Sequence, residues 1–149
     1  MKIKNALFSA VLGLTALALP AAAAELSGEG QIPGSKIVVT SVKRDAANTV
    51  TLRFQLINDG EGKVKTYEVL GSYFSLDKLA LVDSANKKKY LVVKDSSGEC
   101  VCSQLKDDVD PGTRFNLWAK FPAPAAEVQT ITVVIPGFEP VDAPITAAP

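Results

Sequence analysis

Thr49 to Ile57 alternates almost without a break: Val50, Leu52, Phe54 and Leu56 fall on one side of an extended chain, and Thr49, Thr51, Arg53 and Gln55 on the other. A period of two calls for a strand with one buried face and does not suit a helical stripe. Arg114 to Phe121 repeats the pattern, with Phe115, Leu117, Ala119 and Phe121 together and Asn116, Trp118 and Lys120 opposite. Half-buried strands need a second apolar layer to cover them, which points to packed sheets.

Shorter segments supply that layer. Lys36 to Val42 is β-branched and apolar, Ala80 to Asp83 and Lys88 to Val93 flank the turn Ser84-Ala85-Asn86-Lys87, and Val128 to Ile135 aligns Ile131, Val133 and Ile135. Val64 to Tyr73 reads as a short strand. Val141 to Pro149 holds two prolines, which lack the ladder donor, so it is predicted as an edge strand or a tail. Asn58-Asp59-Gly60 and Asp110-Pro111-Gly112 are turns, the second with proline and glycine at the central positions of a type II turn. Pro122 to Ala126 is a rigid connection.

About seven short strands, with no strong amphipathic helix after residue 24, predict an all-β fold: an immunoglobulin-like antiparallel β-sandwich spanning residues 36–146. Phe54, Leu56, Leu117, Phe121, Val133 and Ile135 are its expected core. Trp118 is placed on an outer face, where an amphipathic ring can anchor a partner or a glycan unless a loop covers it.

Residues 1–24 have the layout of a secretory signal peptide: Lys2 and Lys4, an apolar stretch from Ala6 to Leu19, then small residues up to Ala24. The apolar stretch is shorter than the roughly 20 residues of a spanning helix, so cleavage before Glu25 is predicted and the released chain is not expected to span a membrane. Export implies a periplasmic or secreted protein. Removing residues 1–24 from the 149 leaves 125, enough for one domain, and carries off Lys2 and Lys4 so that the formal charge falls from zero to −2. No basic patch with interleaved aromatics is present, which argues against nucleic acid as a partner. Glu25 to Ser35, with three glycines and a proline, is expected to be a flexible, irregular lead-in.

The chain has two cysteines, Cys100 and Cys102, and no histidine. In a strand, residues two apart share a face, and in an oxidising compartment such a pair is expected to form a local disulfide. Two extended steps span about 6.6 Å, near the upper limit of Cα separation for a disulfide, so the backbone must kink; Ser96-Ser97-Gly98 stands close by. So small a loop removes only about 1.5 kcal/mol of unfolded-state entropy, which favours a loop pin or a redox-labile bond over global stabilisation. Two adjacent thiolates also suit Cu(I), so a thiol-redox or copper-handling protein is the alternative.

Without histidine there is no Ser-His-Asp or Cys-His pair, no catalytic residue is assigned, and a non-enzymatic domain is expected. A closed four-ligand zinc site is out of reach, and neither a resident metal nor another cofactor is expected. Asp95, Glu99, Asp107, Asp108 and Asp110 do not have the spacing of an EF-hand loop. Lys87 to Lys89 reads as a solvated hairpin tip. Recognition in a sandwich concentrates on loops held by the rigid scaffold, so Asp95, Gly98, Glu99 and Trp118 are the candidate binding residues, and an envelope protein is the candidate partner.

Lys89-Tyr90, Asp95 with Gly98, Cys100-Val101-Cys102-Ser103, Pro111-Gly112, Phe121-Pro122-Ala123-Pro124, Ile135-Pro136-Gly137-Phe138 and Asp142-Ala143-Pro144-Ile145 occur in that order. Over residues 79–146 this string resembles a set of exported bacterial immunoglobulin-like single-domain proteins, mostly of unassigned function. The resemblance implies an extracytoplasmic β domain and brings no catalytic residues with it.

Overall fold

The computed structural model describes residues 25–72 and 75–147. The expected signal peptide, Met1 to Ala24, lies outside them, as do Tyr73 and Phe74. Among the described residues the elements are β1 (Ser27–Glu29), β2 (Ser35–Arg44), β3 (Thr49–Asn58), β4 (Val64–Lys65), α1 (Thr66–Leu70), β5 (Ala80–Asp83), β6 (Lys88–Leu91), β7 (Asp108–Val109), β8 (Thr113–Pro122), β9 (Thr130–Val134) and β10 (Val141–Thr146).

The two alternating strands pair with each other along their full length, from Thr49 opposite Pro122 to Asn58 opposite Thr113. β2 lines the other edge of β3, and β1 lies along the first part of β2. The second layer runs β6-β5-β9-β10. Ile37, Val42, Leu52, Phe54, Leu117 and Phe121 from the first layer pack into one cluster with Leu81, Ile131, Val133, Ala143 and Ile145 from the second. The expected core residues Phe54, Leu56, Leu117, Phe121, Val133 and Ile135 are each at most 2% exposed. The fold is an immunoglobulin-like β-sandwich, closed along one side where β10 meets β2.

That closure departs from a purely antiparallel sandwich, because β10 runs parallel to β2, with Ile145 opposite Val42. It also corrects the edge or tail placement of the last strand, since β10 lies between β9 and β2. Pro144 is tolerated there for a local reason. The Ile145 N–H turns to the Gln129 carbonyl on the β9 side, so alternation directs the Pro144 nitrogen toward β2, just ahead of the first β2–β10 partner pair.

Other differences follow from tertiary context. Glu25 to Ser35 was expected to be irregular but contains β1, whose neighbour Gly30 bridges to Phe138. Val64 to Tyr73 was expected as a strand, and yields the two residues of β4 followed by α1. The helix is a single turn ended by Gly71 in the left-handed region at φ 68°, whose N–H bonds the Tyr67 carbonyl. The Thr66 hydroxyl donates to the Lys106 carbonyl and its N–H to Asp107 at 3.0 Å. Val69 and Leu70 are buried, so local propensity yields to tertiary anchoring. The predicted Asp110-Pro111-Gly112 turn is present, with Gly112 at φ 72° and its N–H on the Asn58 carbonyl at 2.7 Å.

Arg44, at the end of β2, holds the connection by which the chain passes from β8 in one layer to β9 in the other. Its guanidinium donates to the carbonyls of Pro124 at 2.6 Å, Ala125 at 2.8 Å and Val128 at 3.0 Å. Charge-assisted bonds of this kind contribute about 1.5–3 kcal/mol when they are partly shielded from water. Arg44→Ala is therefore expected to lower the unfolding free energy by about 2 kcal/mol. Arg44→Lys, which cannot reach three carbonyls from one planar group, should recover less than half of the loss. Urea titrations of the three proteins measure both effects.

Candidate functional site

The segment around the cysteines is an extension of the β8 edge. After β6 the chain leaves the second layer and joins the first: the Val93 N–H bonds the Lys120 carbonyl at 2.8 Å, the Val101 N–H bonds the Val93 carbonyl at 2.8 Å, and the Lys120 N–H bonds the Val101 carbonyl at 3.0 Å. Three stretches of chain thus satisfy one another's backbone groups in a closed ring. Between Val93 and Val101 the chain reverses in a tight turn.

Asp95 and Gly98 build that turn. The Asp95 carboxylate accepts from the Ser97 N–H at 2.8 Å and the Glu99 N–H at 3.0 Å, and the Asp95 N–H bonds the Glu99 carbonyl at 2.8 Å. Gly98, at φ 86°, occupies a conformation that L side chains rarely adopt. The backbone N–H of Glu99, then that of Ser97, stabilises the ionised carboxylate and holds the Asp95 carboxyl below its usual range. Its contribution is therefore present above the unfolded-state value and is lost as the pH falls through the lower folded value. Amide exchange at Ser97 and Glu99 is expected to accelerate, after correction for the intrinsic pH dependence, when the pH drops below about 4; in Asp95→Ala it should be fast at every pH.

Cys100 and Cys102 lie within disulfide distance, with 5.3 Å between their Cα atoms in place of the extended two-step span. The bend at Val101 makes the difference. Cys102 pairs with Ala119, which is fully buried. Cross-strand partners share a face, so both sulfurs turn toward the interior side of the sheet, and both cysteines pack against the core while remaining half-buried. They open into a cleft of about 440 Å³ lined by Ser75, Glu99, Cys100, Cys102, Ser103, Gln104 and Leu105. Of these, Ser75, Gln104 and Leu105 carry no sequence signal that would single them out.

Trp118 precedes Ala119 and so takes the opposite face. It is half-buried, opposite Arg53 in the β3–β8 register. Ser103 fixes its backbone, with the Ser103 N–H on the Trp118 carbonyl at 2.8 Å and the Trp118 N–H on the Ser103 hydroxyl at 2.9 Å. A cleft of about 220 Å³ runs beside the ring, lined by Thr40, Arg53, Phe54, Asn116, Leu117 and Trp118. The four candidate binding residues are therefore not one constellation. Asp95, Gly98 and Glu99 share the turn, Glu99 reaches the cleft of the sulfurs, and Trp118 looks the other way.

The acidic residues do not converge either. Lys63 lies 3.2 Å from Asp110 and 3.9 Å from Asp108. Asp45 accepts from Lys120 at 2.6 Å and from Thr51 at 2.6 Å, and these two bonds, the lysine's first, hold its carboxyl below the usual range. Among the described residues no three His, Cys, Asp or Glu side chains come together as a metal donor set, and no helix is long and apolar enough to cross a membrane. No protein-family model matches the sequence, and comparison with curated proteins gives no match.

Proposed function

We propose that the chain is a non-enzymatic binding or structural domain of the bacterial cell envelope, acting outside the cytoplasm after removal of residues 1–24. One observation carries this reading: a cleft bordered by the Cys100–Cys102 pair, on a loop fixed to a rigid sandwich by the three-way backbone ring. A loop ordered before binding loses less entropy when a partner arrives. The partner is an envelope protein that inserts a side chain or a short segment between Glu99 and Leu105.

The cysteines are expected to be bonded to each other in protein taken fresh from its native compartment. Intact mass after alkylation without reductant should show no added label. A photo-crosslinker at Gln104 should then capture one envelope protein, and the capture should fall at least about tenfold, or roughly 1.4 kcal/mol, in the Cys100→Ser/Cys102→Ser variant. Equal capture by both proteins, with melting temperatures unchanged, would remove the cleft from the interface.

The half-burial of both cysteines beside an open cleft supports a second reading, a thiol-redox or copper-handling role for Cys100 and Cys102. Two alkylated thiols per chain in fresh protein, with tight uptake of one Cu(I), would put this reading ahead of the first.

A further inference from the structure

The outer face of β2, β3 and β8 has an unusual charge pattern. On it these strands carry Lys36, Lys43, Arg53, Arg114 and Lys120 and no aspartate or glutamate, in a chain whose formal charge is zero; Arg44, opposite Val50, belongs to the inward row. Lys36 is engaged with Asp59 at 3.2 Å and Lys120 with Asp45 at 2.6 Å. Arg53, in the middle of β3, and Lys43, next to the end of β2, are exposed and have no ion-pair partner among the described residues. The Asp45 carboxylate serves the row of Thr51 and Lys120, and Arg53 in the next row is left without a counter-ion.

Trp118 stands directly across from Arg53, and in the next outward row Gln55 donates to the Asn116 side chain at 2.9 Å. That bond uses one donor of Gln55 and one acceptor site of Asn116. The Gln55 carbonyl and the Asn116 amide keep their capacity for an outside ligand. The β2 bulge between Val39 and Ser41 leaves Thr40 exposed on the same cleft, its hydroxyl on the Arg53 carbonyl at 3.0 Å. The row of ring, guanidinium and amides lies on paired ten-residue strands, so its spacing is fixed by the sheet.

We infer that this face binds an acidic polysaccharide, with a sugar ring stacked on Trp118, its carboxylate on Arg53 and its hydroxyls on Gln55 and Asn116. Each part of the ligand answers a feature of the face. The C–H side of a pyranose is apolar and flat, which suits a half-buried indole beside a cleft. A carboxylate matches the fork of an unpaired arginine. A polymer extends the contact toward Lys43. The inference shares with the reading above the premise that the domain binds, but uses the opposite side of the β8 edge, so either can fail alone.

Trp118 is the sole tryptophan, and its emission reports on this face directly. The probes are hexameric galacturonate, cellohexaose and inorganic polyphosphate, each titrated against the full mature domain. Galacturonate should shift the Trp118 emission saturably and bind at least about tenfold more tightly than cellohexaose. Its affinity should fall when salt is raised to about 0.5 M, where the screening length is only a few ångströms. By calorimetry, Trp118→Ala should lose about tenfold in affinity. Arg53→Gln, at an exposed position that leaves the core intact, should erase the preference for galacturonate over cellohexaose. An unchanged emission at millimolar galacturonate overturns the inference, as does equal binding of cellohexaose by the wild type or a matching emission shift with polyphosphate. Crosslinking at Gln104 that persists while galacturonate fails to bind would separate this failure from that of the cleft.

Discussion

Phe121→Ala is expected to lower the stability of the domain by about 3–5 kcal/mol. Phe121 is fully buried, lies opposite Val50 in the β3–β8 ladder, and comes immediately before the connection that Arg44 holds. Its removal takes away apolar burial and leaves a void at the junction of the two layers, where the backbone is tied from both sides and cannot collapse to refill it. Urea denaturation with an unchanged m-value would show that the loss belongs to the native state. Phe115→Ala, at a half-buried position of the same strand beside Lys106, should cost less than half as much. A loss below about 1 kcal/mol at Phe121 would mean that the inward and outward faces of β8 have been exchanged, and Trp118 would then belong to the core.

Gly137→Ala is expected to be nearly as damaging as the loss of an aromatic side chain, at about 3 kcal/mol. Gly137 has φ 80°, and a methyl group there would stand 2.3 Å from the Val69 carbonyl oxygen of α1. Backbone cannot turn aside as the end of a flexible side chain can. The alanine must therefore either open the turn between β9 and β10 or push α1 away from it. The same turn receives the Gln31 N–H at the Gly137 carbonyl, so a shift would also loosen the end of β1. Thermal unfolding should show the loss, and amide exchange should show it first at Gln31 and at Gly71, which closes the helix.

What the amino-acid pattern revealed, and what it hid, divides along local and non-local lines. β3 and β8 were legible because each has one apolar side, and a one-residue slip would have placed Phe54 or Phe121 in water. β5 was legible from the turn beside it. α1 was not, since a five-residue helix is held by Gly71 and by the hold of residues 106 and 107 on Thr66. Ser27-Gly28-Glu29 has no apolar residue and reads as strand only because Ser35–Arg44 offers an edge. Near the cysteines, spacing revealed the sulfur pair, and Asp95 with Gly98 marked the turn. The opposition of the sulfurs to Trp118 depends on the pairing of Cys102 with Ala119, a register that neither segment encodes alone. The outward triplets Thr51-Arg53-Gln55 and Asn116-Trp118-Lys120 were both visible as patterns, yet only the β3–β8 ladder brings Arg53 opposite Trp118.

The position of β10 also dictates the order in which the molecule can be assembled. Its partners β2 and β9 come from opposite ends of the domain, and Ile145 must find Val42 across about a hundred residues, a loop whose closure costs on the order of 4 kcal/mol. A chain that emerges N-terminus first, whether from a ribosome or through a membrane pore, exposes the β2 edge long before residues 141–146 arrive to cover it. During that interval an open strand edge is a template for pairing with other chains. Among the described strands β10 is the last to appear, and it shields the Val42–Lys43 edge of β2, so until it arrives the nascent domain depends on dilution or on a chaperone to keep that edge unpaired.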